Sequence, residues 1–155
     1  MDETPTAARL ETIDIVRIME MIPHRFPMLL IDRVVELIPD KAATGIKNVT
    51  INEPYFEGHF PRLPVVPGVM IIESMAQTAA VLVVHTLGSE SEGKLVYFMS
   101  IEGARFRRPI VPGDQMRVHV RKTRNRGPVW KFTTRVTVDG TLAAEASFAA
   151  MIQDR

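Results

Sequence analysis

Hydrophobic and polar positions alternate most cleanly in the last third of the chain. Met116, Val118 and Val120 interleave with Arg117, His119 and Arg121, and Trp130, Phe132, Val136 and Val138 interleave with Lys131, Thr133, Arg135 and Thr137. A period of two predicts strands with one dry and one wet face. Asn125-Arg126-Gly127-Pro128 and Asp139-Gly140 separate these runs, the second a strong hairpin signal. Leu142, Ala144, Ala146, Phe148, Ala150 and Ile152 keep the same period. Propensity alone would let this alanine-rich run form a helix, but the Asp-Gly turn before it decides for a strand. The segment is an antiparallel meander.

Nearer the start, Ile13, Ile15, Val16, Ile18, Met19 and Ile22 recur at helical spacing behind Thr12 and Asp14 as caps, so a short helix ends at Pro23. Met28 to Ile38 is strand-like, Lys41 to Ile51 can pair with it, and Pro39-Asp40 marks the turn. From Val65 to Leu87 the only formally charged residue is Glu73. About 20 such residues can span a bilayer. Glu73, Gln77 and His85 within the run, Pro61, Pro64 and Pro67 before and at its start, and no Lys/Arg cluster beyond it argue against a membrane span. The alternative is a buried core helix from about Pro67 to Leu87. The expected class is α+β, an antiparallel sheet of five to seven strands with that helix on its dry face. Residues 1–12 read as a loose N-terminal segment and 13–155 as a single domain.

Composition narrows the picture. With 155 residues, 46% hydrophobic and 24% charged, the chain can close one core, and disordered and collagen-like classes are excluded. Absence of cysteine rules out disulfides, thiolate nucleophiles and cysteine-held metals, and suits a reducing compartment such as the cytoplasm. The acidic opening Met1-Asp2-Glu3-Thr4-Pro5 lacks the pattern of an export signal. Net charge is only +1, yet residues 1–100 carry 8 basic against 13 acidic side chains and residues 101–155 carry 11 against 5. The basic last third either solvates strand faces or docks an acidic partner.

The chemistry concentrates in Gly58-His59-Phe60-Pro61-Arg62-Leu63-Pro64-Val65-Val66-Pro67-Gly68. Three prolines with φ near −65° stiffen the loop, which can hold the His59 imidazole at fixed depth. Pro67 suits the first helical position, and Gly68 then offers a bare N–H at the positive helix end, a site for a developing oxyanion. Glu73 shares its helix face with Val69, Met70, Ala76, Gln77, Ala80 and Val84. Apolar surroundings favour a protonated carboxyl able to donate, and Gln77 can orient it or a water. A neutral imidazole as base, a carboxyl as acid and backbone donors for an enolate suit proton abstraction α to a carbonyl, with loss of a β-substituent. Each part also has an ordinary reading, as a surface histidine, half of a buried ion pair, and a common helix start. His24 sits in a turn, His119 on a wet strand face and His85 about 120° round the helix from Glu73; none is assigned chemistry. No metal site or nucleotide loop has the required spacing.

Taken together, Gly58-His59-Phe60-Pro61, Pro64, Pro67-Gly68-Val69 and Glu73-Ser74-Met75-Ala76-Gln77 closely resemble the bacterial (3R)-hydroxyacyl-[acyl-carrier-protein] dehydratases of type II fatty acid synthesis. Pro23-His24-Arg25-Phe26-Pro27 to Asp32-Arg33-Val34, Ala104-Arg105-Phe106-Arg107-Arg108-Pro109 and Val111-Pro112-Gly113-Asp114-Gln115 agree in order. The resemblance implies a hotdog fold, a homodimer that assembles into a trimer of dimers, and an active site shared across the dimer. It implies His59 as the base, Glu73 of the partner subunit as proton donor to the departing hydroxyl, directly or through water, and the Gly68 N–H as holder of the thioester oxygen. Tyr97 matches a residue that lines or gates the acyl tunnel. No cofactor is implied.

The implied partner, an acidic acyl carrier protein bearing a 3-hydroxyacyl phosphopantetheine, makes Arg105, Arg107, Arg108 and Arg121 docking candidates, though Arg107 and Arg108 cannot share one side of a strand. The implied setting is fatty acid and lipid A biosynthesis. Arg62, Val66 and Phe26 depart from the family pattern, and Arg62 bears on chain-length preference. Glu73, in place of the aspartate of the isomerising relatives, implies dehydration without appreciable isomerisation. A thioesterase on the same fold is the competing enzyme class. A DNA-binding regulator is disfavoured, because the basic residues ride on strands rather than on a recognition helix.

Overall fold

The computed structural model describes residues 10–153. Seven strands form one antiparallel sheet in the order β1-β2-β3-β5-β6-β7-β4. They are β1 (Glu11–Ile13), β2 (Arg33–Ile38), β3 (Ala42–Asn48), β4 (Leu95–Phe106), β5 (Gln115–Arg126), β6 (Val129–Val138) and β7 (Thr141–Gln153). A short helix α1 (Ile15–Met21) lies between β1 and β2, and a long helix α2 (Gly68–Leu87) precedes β4. The expected α+β class and central helix are present.

The alternation explains the wrap. Met116, Val118 and Val120 of β5, Trp130, Phe132, Val136 and Val138 of β6, and Ala144, Ala146, Phe148 and Ala150 of β7 are buried. They cover α2, from which Ile71, Ile72, Met75 and every residue from Ala79 to Val84 are buried as well. A helix apolar enough to cross a membrane is here the core of the sheet's concave face. Its buried hydroxyls bond backward along the helix, Ser74 to the Met70 carbonyl at 3.0 Å and Thr78 to the Ser74 carbonyl at 2.9 Å, so none is left unpaired. The helix crosses β3 so closely that a Cβ on Gly45 would lie 2.1 Å from Thr78 Oγ1. Only glycine fits there.

Several boundaries differ from the sequence reading. The helix expected from Ile13 starts at Ile15, because the Asp14 side chain accepts the Arg17 N–H at 2.9 Å and caps it, while Ile13 pairs with Val34 in β1. Glu11 and Thr12 therefore belong to the sheet, and residues 1–9 of the expected loose segment lie outside the described residues. The strand expected from Met28 begins only at Arg33, since the Leu30 N–H turns inward to the Gln77 side chain. The partner expected from Lys41 to Ile51 is the shorter β3. Sequence reading assigned no element to β4. It is an edge strand of 12 residues on which Tyr97, Phe98, Met99, Ile101 and Phe106 are exposed.

Candidate active site

The loop before α2 is closed on itself by backbone bonds. The Phe60 and Leu63 N–H groups donate to each other's carbonyls at 3.1 and 3.0 Å, and the Val65 N–H donates to the His59 carbonyl at 3.0 Å. His59 Nδ1 lies 2.8 Å from the Val65 carbonyl. A carbonyl only accepts, so Nδ1 carries the proton and Nε2 keeps its lone pair. The ring also stacks on Phe60, with centroids 4.2 Å apart. His59 is thus held in one orientation, with Nε2 making no hydrogen bond among the described residues.

Pro67 is the N-cap of α2 rather than its first residue, with φ −57° and ψ 136°, and Gly68 opens the helix. No side chain caps this end, so its first N–H groups remain available to an acceptor. A Cβ on Gly68 would lie 2.9 Å from Phe106 Cζ, so the half-exposed Phe106 ring covers the position and would have to shift to admit a side chain. His59, Gly68, Ile71, Phe106, Arg107 and Arg108 are among the lining of one cavity of about 360 Å³.

Glu73 points elsewhere. Its side chain is 21% exposed, and its Oε1 lies 3.1 Å from Gln77 Nε2 and 3.3 Å from His24 Nε2. The expected apolar setting is therefore interrupted by two polar side chains on one oxygen. Gln77 is fully buried, with its Oε1 accepting the Leu30 N–H at 2.9 Å and its Nε2 donating to the Met28 carbonyl at 2.6 Å. That tie fixes which end of the amide faces Glu73. A second cavity of about 20 Å³, the size of one water, is lined by His24, Glu73, Ala76, Val96, Phe98 and Ala150. It shares no lining residue with the first. Within one chain, His59 and Glu73 line separate cavities.

Comparison with known proteins then places the chain. A family model described as a FabA-like domain matches residues 22–147. The 3-hydroxyacyl-[acyl-carrier-protein] dehydratase FabZ of Acidiphilium cryptum is 64% identical across 99% of this chain and 93% of its own length. The protein of the same name from Paramagnetospirillum magneticum is 65% identical across 93% of this chain and 89% of its own. The chain belongs to the FabZ dehydratase family. Among solved structures, the dehydratase heterocomplex ApeI:P of Xenorhabdus doucetiae superposes with a TM-score of 0.75 over 89% of this chain and 91% of that one. At 17% identity it speaks for the hotdog fold alone.

The remaining family-implied residues are dispersed. Tyr97 lies on exposed β4 opposite Met151 and lines neither cavity, because alternation turns it away from Val96 and Phe98. Arg105 is also on β4, opposite Glu145. Arg107 and Arg108 follow the end of β4 rather than riding on a strand, and both backbone N–H groups donate to the Ala143 carbonyl, at 2.8 and 3.3 Å. The pair therefore escapes the alternation that would set it on opposite faces. Arg107 Nη2 is 2.6 Å from Glu145 Oε1, whereas half-buried Arg108 has no ion-pair partner among the described residues. Arg121 lines a groove of about 560 Å³ with Thr44, His119, Thr133 and Arg135. That groove is on the sheet's other face, away from His59.

Sequence reading missed His24, to which it gave no chemistry. The contact with Glu73 spans 49 residues of sequence, and no spacing rule reaches it. The available signal was the Pro23-His24-Arg25-Phe26-Pro27 stretch, one of those that carry the family resemblance.

Proposed function

We propose that the 3-hydroxyacyl-[acyl-carrier-protein] dehydration characteristic of this family runs through His59 of one copy and Glu73 of another. The observation that carries this reading is the pair of separate half-sites, each prepared for a complementary role. His59 Nε2 takes the α-proton of the thioester, and the Gly68 N–H receives the enolate oxygen as its charge develops. Collapse of the enolate forms the Cα–Cβ double bond and breaks the Cβ–O bond. The hydroxyl leaves as water with a proton from Glu73, directly or relayed through one water. The product is the trans-2-enoyl thioester, and transfer of the proton from His59 back to the Glu73 carboxylate resets the site. These steps need no cofactor.

The sheet supports the second copy. β4 leaves a long edge with unpaired backbone groups and exposed Phe98, Met99 and Ile101, the type of edge that invites another strand. Two β4 edges related by a two-fold axis give the homodimer, and three such dimers give the hexamer implied by the family resemblance. Arg108 and Arg107 at the rim of the His59 cavity receive the phosphopantetheine of the acidic carrier protein, with Arg105 and Arg121 as outlying contacts. Tyr97 borders the acyl tunnel once the edges join. The cysteine-free chain suits the cytoplasm, where the product feeds fatty acid and, through it, lipid A synthesis.

The test is a time course of enoyl-thioester absorbance with a 3-hydroxyacyl carrier-protein substrate, run beside a free-thiol assay. Enoyl product from the wild type, lost in His59→Ala and Glu73→Gln without thiol release, is expected. Thiol release would instead favour the thioesterase, and activity surviving either substitution would remove that residue from the mechanism.

A further inference from the structure

Glu73 has two carboxyl oxygens and only one is engaged. Gln77 Nε2 and His24 Nε2 both converge on Oε1, and Oε2 accepts no hydrogen bond among the described residues. The tie of Gln77 to the Leu30 N–H makes its nearer group an amide donor, so Oε1 is an acceptor on that side. The tautomer of His24 follows from its other nitrogen. Nδ1 is buried and without a hydrogen-bond partner among the described residues. A buried lone pair left unpaired costs less than a buried N–H left unpaired, because an orphaned donor is the rarer native state. The proton therefore sits on Nε2, the nitrogen that lies 3.3 Å from Glu73 Oε1.

The loop that carries His24 is fixed from behind. Arg25 donates to the carbonyls of Met19 at 2.7 Å, Ile22 at 3.0 Å and His24 at 2.6 Å, which ties the end of α1 to the His24 backbone. The imidazole is 19% exposed and has little room to swing away. The other groups facing Glu73 are Ala76 and Gln77 from α2, Val96 and Phe98 from β4, and Ala150 from β7. Among the described residues of the same chain, His24 is the only titratable group facing Glu73; in the two-copy site proposed above, His59 of the other copy faces it as well.

We infer that His24 is a positioning residue for the dehydration: its Nε2–H, together with Gln77, holds Oε1 as an acceptor and thereby puts the transferable proton of Glu73 on Oε2. The inference rests on the reading of Glu73 as the proton donor. It assigns His24 no contact with substrate.

Without the donor from His24, Oε1 keeps only Gln77 and the carboxyl loses part of what fixes its orientation. In His24→Ala, kcat is expected to fall roughly tenfold with KM nearly unchanged, the mark of a lost transition-state orientation. His24→Gln, which offers an amide N–H near the same point, restores most of kcat.

An unchanged kcat in His24→Ala, a loss expressed in KM instead, or a Gln variant no better than Ala would overturn the inference, since a merely structural role predicts neither the kcat-specific loss nor the rescue. Glu73→Gln in the same assay separates the two readings. Retained activity there overturns both, whereas lost activity beside an unchanged kcat in His24→Ala overturns only the role of His24.

Discussion

The cavity at the start of α2 and the groove on the outer face of the sheet each present a histidine, and their hydrogen bonds differ in one respect. His59 spends Nδ1 on the Val65 carbonyl and keeps Nε2 free over a cavity that also holds the Gly68 helix end. His119 spends both nitrogens, Nδ1 at 3.2 Å from Thr44 Oγ1 and Nε2 at 3.1 Å from Thr137 Oγ1. Arg117 and Arg135 flank it. Burial first, then those two guanidinium groups, hold His119 below the ordinary histidine range. Orientation alone does not make a base. One nitrogen must be anchored and the other left free beside a group that stabilises the product charge.

The largest effect that sharpens this contrast is on chemistry. His59→Ala should lower kcat by roughly 10²- to 10⁴-fold, the usual worth of a positioned base, while His119→Asn leaves kcat within about twofold. Parallel steady-state assays decide it, and equal losses would erase the distinction. Next comes the helix end. Gly68→Ala drives a methyl into the Phe106 ring and should lower kcat about tenfold or more with a smaller change in KM, as expected when a donor to a developing oxyanion is displaced.

Smaller again is the rim. Arg108→Ala should raise KM for the carrier-protein substrate about three- to tenfold and leave a phosphate-free pantetheine thioester unaffected. Arg107→Ala should do less, because Glu145 already engages that guanidinium. The smallest effect lies on stability. With His119 below its ordinary value near 6.5, the folded protein binds fewer protons than the unfolded chain as pH falls. Stability from this residue is complete above that value and is lost as pH falls through the lower, folded one. Urea midpoints between pH 7 and pH 5 should therefore drop less in His119→Asn than in the wild type.

The same contrast shows what was readable beforehand. Strands β5, β6 and β7 were legible because one face is packed on α2 and the other is wet, which writes a period of two. β4 was not, because on an edge Tyr97, Phe98, Met99 and Ile101 are exposed together and apolar character no longer reports a buried face. The start of β2 was misplaced because a single amide, Gln77, captures the Leu30 N–H, a tertiary contact that β propensity does not anticipate. His59 and Gly68 stood out since their loop and helix start are local features of sequence. His24 depends on a fold-wide meeting of the loop after α1 with α2, so its contact with Glu73 is written in the fold and not in any local spacing.

The central claim is that one site draws on two copies of the chain. Its most direct test mixes His59→Ala with Glu73→Gln protein, unfolds them together and refolds them at equal concentration, with each variant treated alone as control. In a shared site, every mixed dimer carries one site with both groups intact, so random pairing should return about a quarter of wild-type dehydration from two inactive parents. No recovery, with dimers shown to have exchanged, would mean that His59 and Glu73 act within a single chain, contrary to this account.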